Sequence, residues 1–235
     1  MGRIFEKRKY KMFARFDKMA KAFTRYGKEI AIAVKQNGPN PDTNPRLRTA
    51  IQNAKGVNMP KDRIDAAIKR ASSKDDKDLQ EVLYEGYGPY GIGILVECAT
   101  DNPTRTVANV RMHFTKYNGS LGNTGSVAFL FERKGVFKIA AEGVDREELE
   151  LELIDYGAED FAVDEADIYV YTSFADFAKM QKTLEEKQLT VISAELQYLP
   201  TTQNAVDESQ EEEIMKLVAA LEEDDDVQNV YHNMK

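Results

Sequence analysis

The chain reads as an α+β protein of three domains, and three observations predict it. First, the apolar period changes near residue 79, from helical spacing to short runs and alternation. Second, the charge divides at nearly the same place. Met1 to Ala71 holds 18 Lys/Arg against 6 Asp/Glu, a net +12, which leaves −20 for the remainder of a chain whose total is −8. Third, residues 134–199 run β-α-β-β-α-β, the ferredoxin-like order. The predicted domains are a basic three-helix unit at 1–72, a discontinuous α/β domain at 79–133 plus 200–235, and a ferredoxin-like domain at 134–199 inserted into it.

The basic unit opens with an arm, residues 1 to about 15, expected to order only on its partner. Arg3, Lys7, Arg8, Lys9, Lys11 and Arg15 alternate there with Phe5, Tyr10 and Phe13. Phe16, Met19, Ala20, Phe23, Ile30 and Val34 then repeat at helical spacing, so a helix is predicted over 16–36, decorated by Lys18, Lys21, Arg25, Lys28 and Lys35. GPNPDTNP ends it. Asn44 can cap the next helix, with Pro45 at its first position, where a missing N–H costs nothing. Leu47, Ala50, Ile51 and Ala54 share one face, and Gly56 is the expected stop. A third helix starts near Pro60 and buries Ile64, Ala67, Ile68 and Ala71. The outward residues of this pair are mostly Arg46, Arg48, Lys55, Lys61, Arg63, Lys69 and Arg70. A small core face backed by guanidinium and ammonium groups suits phosphate, though a solvated basic face is the ordinary explanation for one such helix.

Ser72 to Asp78, SSKDDKD, reads as a linker. Strands follow at 82–85 and 91–98 around the turn GYGPYG, then a helix from Asp101-Asn102-Pro103 to Lys116, the loop GSLGNTGS, and a strand VAFLF at 127–131. The ferredoxin-like block is predicted as strands near 135–140, 160–164, 167–172 and 190–198, with helices over 145–156 and 174–187. A helix at 208–222 and a strand at 227–231 supply the α-β piece that the middle domain lacks.

Composition excludes several classes. One cysteine, Cys98, allows no intrachain disulfide and no cysteine-based zinc site, and two histidines, His113 and His232, leave little for other metals. No apolar run approaches a membrane span, and MGRIFEKRK has no signal-peptide core, so a cytoplasmic setting is expected. Glu97, Asp101 and Arg105 gather at a strand end, a common place for catalysis, but helix capping and ion pairing explain them better. GSLGNTGS follows a helix and precedes a strand, the reverse of a phosphate cradle, and no Lys-Ser/Thr follows. Tyr87 and Tyr90 either pack or stack on bases. The acidic run Glu222 to Asp226 reads as a solvated turn. No enzyme activity, cofactor, metal or small-molecule substrate is expected.

Three stretches stand out: NPRLRTAIQNAKGVNMPKDRIDAAIKR, YEGYGPYGIGILVECATDNPTRTVANVR and GSLGNTGSVAFLFERKG. With DDDVQNVYHN near the end, they resemble the YebC/PmpR family from Lys28 onward. That family includes bacterial proteins described as transcriptional regulators and a mitochondrial translational activator of cytochrome oxidase. The resemblance implies three domains and a non-enzymatic regulator linked to nucleic acid. The partner is either duplex DNA, through a helix-turn-helix-like pair, or rRNA and tRNA on the ribosome, helping synthesis of difficult stretches such as consecutive prolines. The chain departs from the family at its start, where a GHSKW-like signature is replaced by MGRIFEKRKYKMF. The residues expected to meet nucleic acid are Lys7, Arg8, Lys9, Lys11, Arg46, Arg48, Lys55, Lys61, Arg63, Lys69 and Arg70.

Overall fold

The computed structural model describes residues 3–73, 78–164 and 167–235, and within the first helix it describes side chains from Met19 onward. The chain divides into two compact units, Met1–Leu79 and Gln80–Lys235. Each is taken alone.

The first unit is three helices: α1 (Arg3–Asn37), α2 (Pro45–Gly56) and α3 (Lys61–Ala71). Asn44, fully buried, stitches two of them. Its side chain accepts from the Leu47 amide at 3.0 Å, and its Nδ2 donates to the carbonyls of Ala33 at 2.7 Å and Gly38 at 2.9 Å. The core is Tyr26, Ile30, Val34, Leu47, Ile64 and a set of alanines at Ala33, Ala50, Ala54, Ala67 and Ala71. These small side chains let three short apolar faces close on one another.

One expectation is corrected here and another refined. The predicted arm is not separate from the helix: α1 runs without a break from Arg3. No Gly or Pro lies between Arg3 and Tyr26, and the Lys, Arg, Met and Ala there propagate a helix already nucleated by its packed end. α2 ends at Gly56 as expected, but the glycine is not its left-handed cap. Gly56 is the last helical residue, and the left-handed residue is Asn58, at φ 59°, after which the Met59 amide donates back to the Ala54 carbonyl.

The second unit contains two four-stranded antiparallel sheets. The first has the order β3-β1-β2-β8, from β1 (Gln80–Tyr87), β2 (Gly93–Thr100), β3 (Ser120–Leu121) and β8 (Val227–His232). Helices α4 (Pro103–Lys116) and α7 (Glu208–Glu222) supply Val110, Phe114, Ile214, Leu217 and Leu221 to a core with Ile94, Val96 and Cys98. The second sheet has the order β5-β6-β4-β7, from β4 (Phe131–Ala140), β5 (Ala158–Asp164), β6 (Asp167–Ser173) and β7 (Val191–Pro200). Helices α5 (Arg146–Ile154) and α6 (Phe177–Glu186) cover one face, burying Leu149, Leu153, Met180 and Leu184 against Phe137, Ile139, Ile168 and Val170. Its strands are consecutive in the chain and lie between β3 and β8. A further apolar cluster of Leu95, Val127 and Phe131, flanked by Tyr198 and Tyr231, occupies the other face of β2.

The predicted strand at 127–131 does not form. Ala128–Leu130 is a 3-10 turn, and β4 begins at Phe131 and continues to Ala140. The predicted loop GSLGNTGS contains the short strand β3, paired to β1 at Gly86 and Tyr87. That pairing needs a glycine: a Cβ at Gly86 would lie 2.7 Å from both the Phe114 ring and the Ser120 carbonyl oxygen.

Candidate nucleic-acid interface

The cations predicted on α2 and α3 are all exposed. At 100° per residue, Arg48 and Lys55 lie together opposite the buried face of α2, and Arg46 lies to its side. Arg48 is held by the carbonyls of Pro41 at 3.0 Å and Asp42 at 3.1 Å, and Arg46 by Gln36 Oε1 at 2.9 Å. On α3, Arg63 and Arg70 share one flank, with Arg63 lying 5.6 Å over the Phe23 ring, and Lys61 lies on the other flank. Between those flanks, facing directly away from Ile64, Ala67 and Ala71, are Asp62, Asp65 and Lys69. Lys55, Lys61, Lys69 and Arg70 make no ion pair among the described residues.

Lys21, Arg25, Lys28 and Lys35 follow i, i+4, i+7 and i+14 and so form one stripe along α1. Arg25 pairs with Glu29 at 3.5 Å, and Lys35 with Asp78 at 3.3 Å. Lys7, Arg8, Lys9 and Lys11 belong to the α1 backbone, but their side chains lie outside the described residues.

In the second unit the structure keeps Asp101 and Arg105 paired, as the sequence suggested, and separates Glu97 from them. Glu97 points to the face of β2 away from α4, where it accepts from Asn229 Nδ2 at 2.9 Å and the Tyr231 hydroxyl at 3.0 Å. Arg105 instead bridges Asp101 at 3.0 Å and Asp226 at 2.7 Å. Asp226 belongs to the acidic run that read as a solvated turn, yet it is only 7% exposed. Its Oδ2 also receives the hydroxyls of Thr100 at 3.1 Å and Thr106 at 2.8 Å, so one carboxylate ties β2, the start of α4 and the turn before β8. Asp224 anchors the same turn by accepting from Asn109 at 3.1 Å.

Glu85 gave no signal in the sequence. It sits on β1, 3% exposed, and accepts three backbone amides: Gly125 on Oε1 at 2.7 Å, and Val127 and Ala128 on Oε2, both at 2.8 Å. Burial pushes this carboxyl up, but the three amides together outweigh it and hold the pKa below the ordinary value. This contact folds the glycine-rich loop onto the sheet and turns the chain at Ala128–Leu130, which displaces the strand predicted there. Tyr87 packs beside it and donates to the Ser126 carbonyl at 2.9 Å. Tyr90 is half-exposed, at a φ of 61°, and donates to Glu213 at 2.8 Å.

Cys98 is buried. His113 and His232 each carry a buried Nδ1 without a hydrogen-bond partner, and burial lowers the His232 pKa. Among the described residues no group of His, Cys, Asp or Glu is placed to hold a metal ion. No described helix is long and apolar enough to cross a membrane.

Comparison with known proteins places this arrangement. Residues 3–74 match the model of the TACO1/YebC protein N-terminal domain, and residues 79–234 match that of the TACO1/YebC second and third domain. The chain belongs to the TACO1/YebC family. The resemblance carried by the sequence motifs is therefore borne out, and the match extends through the atypical N-terminus. A relative from Cytophaga hutchinsonii is 63% identical over 234 residues, covering 100% of this chain and 98% of its own. One from Anaeromyxobacter dehalogenans is 54% identical over 239 residues, covering 100% of both. Both are named "Probable transcriptional regulatory protein". A solved structure of a conserved hypothetical protein from Aquifex aeolicus is 40% identical and superposes with a TM-score of 0.82, over 92% of this chain and 90% of that one. The TACO1/YebC relatives are thus named as regulators.

Proposed function

We propose that the chain is a non-enzymatic, nucleic-acid-binding regulator of gene expression that engages the phosphate backbone through its helical unit. The observation that carries this reading is the charge division: a net +12 on a three-helix unit whose exposed Lys55, Lys61, Lys69 and Arg70 have no ion pair among the described residues, followed by −20 on the rest. The names of the relatives support a transcriptional role, with duplex DNA as the partner. Residues Lys7, Arg8, Lys9, Lys11, Arg46, Arg48, Arg63 and the four above form the contact set, in a cytoplasmic protein. The second unit is read as two domains, 79–133 plus 200–235 and an inserted 134–199, in keeping with the family description of a second and third domain.

A second reading, a translational activator bound to ribosomal RNA or tRNA, is favoured by α3. Its outermost residues include Asp62 and Asp65, which would face the groove if this helix read bases. Phosphate contact supplies affinity without sequence choice. The discriminating experiment compares promoter duplex, scrambled duplex and purified ribosomes at one physiological salt concentration. Preference for the promoter supports the DNA reading. Equal binding of both duplexes, with tighter binding to ribosomes, replaces it with the ribosomal one.

A further inference from the structure

Within the second unit, the described helices cover one face of the second sheet. Phe137, Ile139, Ile168 and Val170 point into the core beneath α5 and α6. The alternate residues point the other way, because neighbours in a strand take opposite faces. Register places Lys138 beside Tyr169, and Val136 beside both Tyr171 and Glu195, with Asp160 beyond Tyr171 on β5. The middle of this open face is therefore two tyrosines two residues apart on β6, both partly exposed. Tyr171 makes no hydrogen bond or ring contact among the described residues.

The charge around the rings decides what fits them. The face carries two lysines, and both are already paired within the chain: Lys134 with Glu132 and Glu159, and Lys138 with Asp167 at 2.8 Å, its Nζ lying 5.6 Å over the Tyr169 ring. Asp160, Asp164 and Glu195 add three further carboxylates. Aromatic residues on a four-stranded sheet can stack nucleic-acid bases, but here the unbalanced charge is negative and opposes phosphate. A guanidinium satisfies both features, since it stacks on an aromatic ring and matches a carboxylate with paired N–H donors. The chain makes such a contact itself, with Arg133 lying 5.0 Å over Phe174 and 5.8 Å over Tyr198.

We propose that the open face of the second sheet is a docking site for an arginine-rich peptide segment, with guanidinium groups on Tyr169 and Tyr171 and the flanking carboxylates Asp160 and Glu195 holding them. This is independent of the nucleic-acid reading, which uses the other unit. The test is fluorescence anisotropy of the full chain with labelled octa-arginine, octalysine and deca-uridine at physiological salt. The variants are Tyr169→Leu with Tyr171→Leu, Asp160→Asn with Glu195→Gln, and a control, Glu208→Gln with Glu211→Gln, on the exposed start of α7. Octa-arginine should bind more tightly than octalysine. The tyrosine pair should weaken it by about tenfold, the size of two partly exposed cation–π contacts; the carboxylate pair should weaken it as well, and the α7 pair should not. Equal weakening by the control, or none by the tyrosine pair, means diffuse attraction to an acidic protein and overturns the site. Loss of deca-uridine binding in the tyrosine variant, with octa-arginine unaffected, overturns it in favour of a base-stacking surface. Asp160 is exposed, so Asp160→Asn alone keeps the test valid if the tyrosine pair fails to fold.

Discussion

Replacing Glu85 by glutamine tests whether one buried carboxylate positions the glycine-rich loop. The carboxylate serves Val127 and Ala128 with Oε2 and Gly125 with Oε1. A glutamine has a single acceptor atom. Turned toward Val127 and Ala128 it keeps two bonds, now neutral, and sets its NH2 against the Gly125 amide. Charge-assisted bonds contribute about 1.5–3 kcal/mol each, neutral ones about 1, and an orphaned buried donor costs about 1–3. Because these effects overlap, the expected loss is about 2–4 kcal/mol. Turning the amide round orphans two donors and costs more. The assay is urea unfolding of the full chain, with hydrogen exchange at the three amides. Gly125 should lose most of its protection first, and strands β1 and β4 should follow. A loss under about 0.5 kcal/mol with all three amides still protected would refute the reasoning, since surface substitutions have effects of that size.

The same carboxylate sets an acid limit. Its folded pKa is lowered, so the stability it contributes is fully present above the ordinary glutamate range and is lost as pH falls through the lowered value. Unfolding midpoints measured downward from neutral pH should fall less steeply below that range in Glu85→Gln than in the parent. Asp226→Ala should cost about 1–3 kcal/mol in urea unfolding, because the buried Thr100 hydroxyl loses its acceptor while that of Thr106 keeps the Asn102 carbonyl; the half-exposed Arg105 arm of that network adds little. Asn44→Ala should cost the first unit about 2–3 kcal/mol, a cap of about 1 plus the bonds lost to the Ala33 and Gly38 carbonyls, of which only that of Gly38 is left unpaired, read by far-UV circular dichroism on heating. Asn44→Asp should cost more than Asn44→Ala, because it sets a buried carboxylate oxygen against the two carbonyl oxygens that Nδ2 now serves.

What the sequence disclosed was local. Asn44, Pro45 and the apolar residues after them define α2 within four residues of chain, so its start was readable. The strands and helices of 131–200 follow from period alone, and their order was readable too. What it hid depends on distance. Glu85 finds its amides about 40 residues later, and Asp226 finds Thr100 and Thr106 more than 100 residues earlier, so each looked like ordinary surface charge. The strand expected at Val127–Phe131 failed for the same reason: local propensity yielded to a carboxylate from another strand. The start of α1 was hidden differently. A basic, aromatic run suits a disordered arm and a helix equally well, and only attachment to a packed helix decides between them.

The central claim is that the cationic helical unit binds a polyanion through its exposed side chains. Its most direct test is the salt dependence of the full chain's affinity for duplex DNA and for ribosomes, beside a variant with Arg46, Arg48, Lys55 and Lys61 all changed to Glu. Log affinity for at least one partner should fall linearly with log salt, at a slope near −0.9 per phosphate contact on duplex, and the variant should not bind. Affinity that is indifferent to salt, or unchanged in the variant, would contradict it.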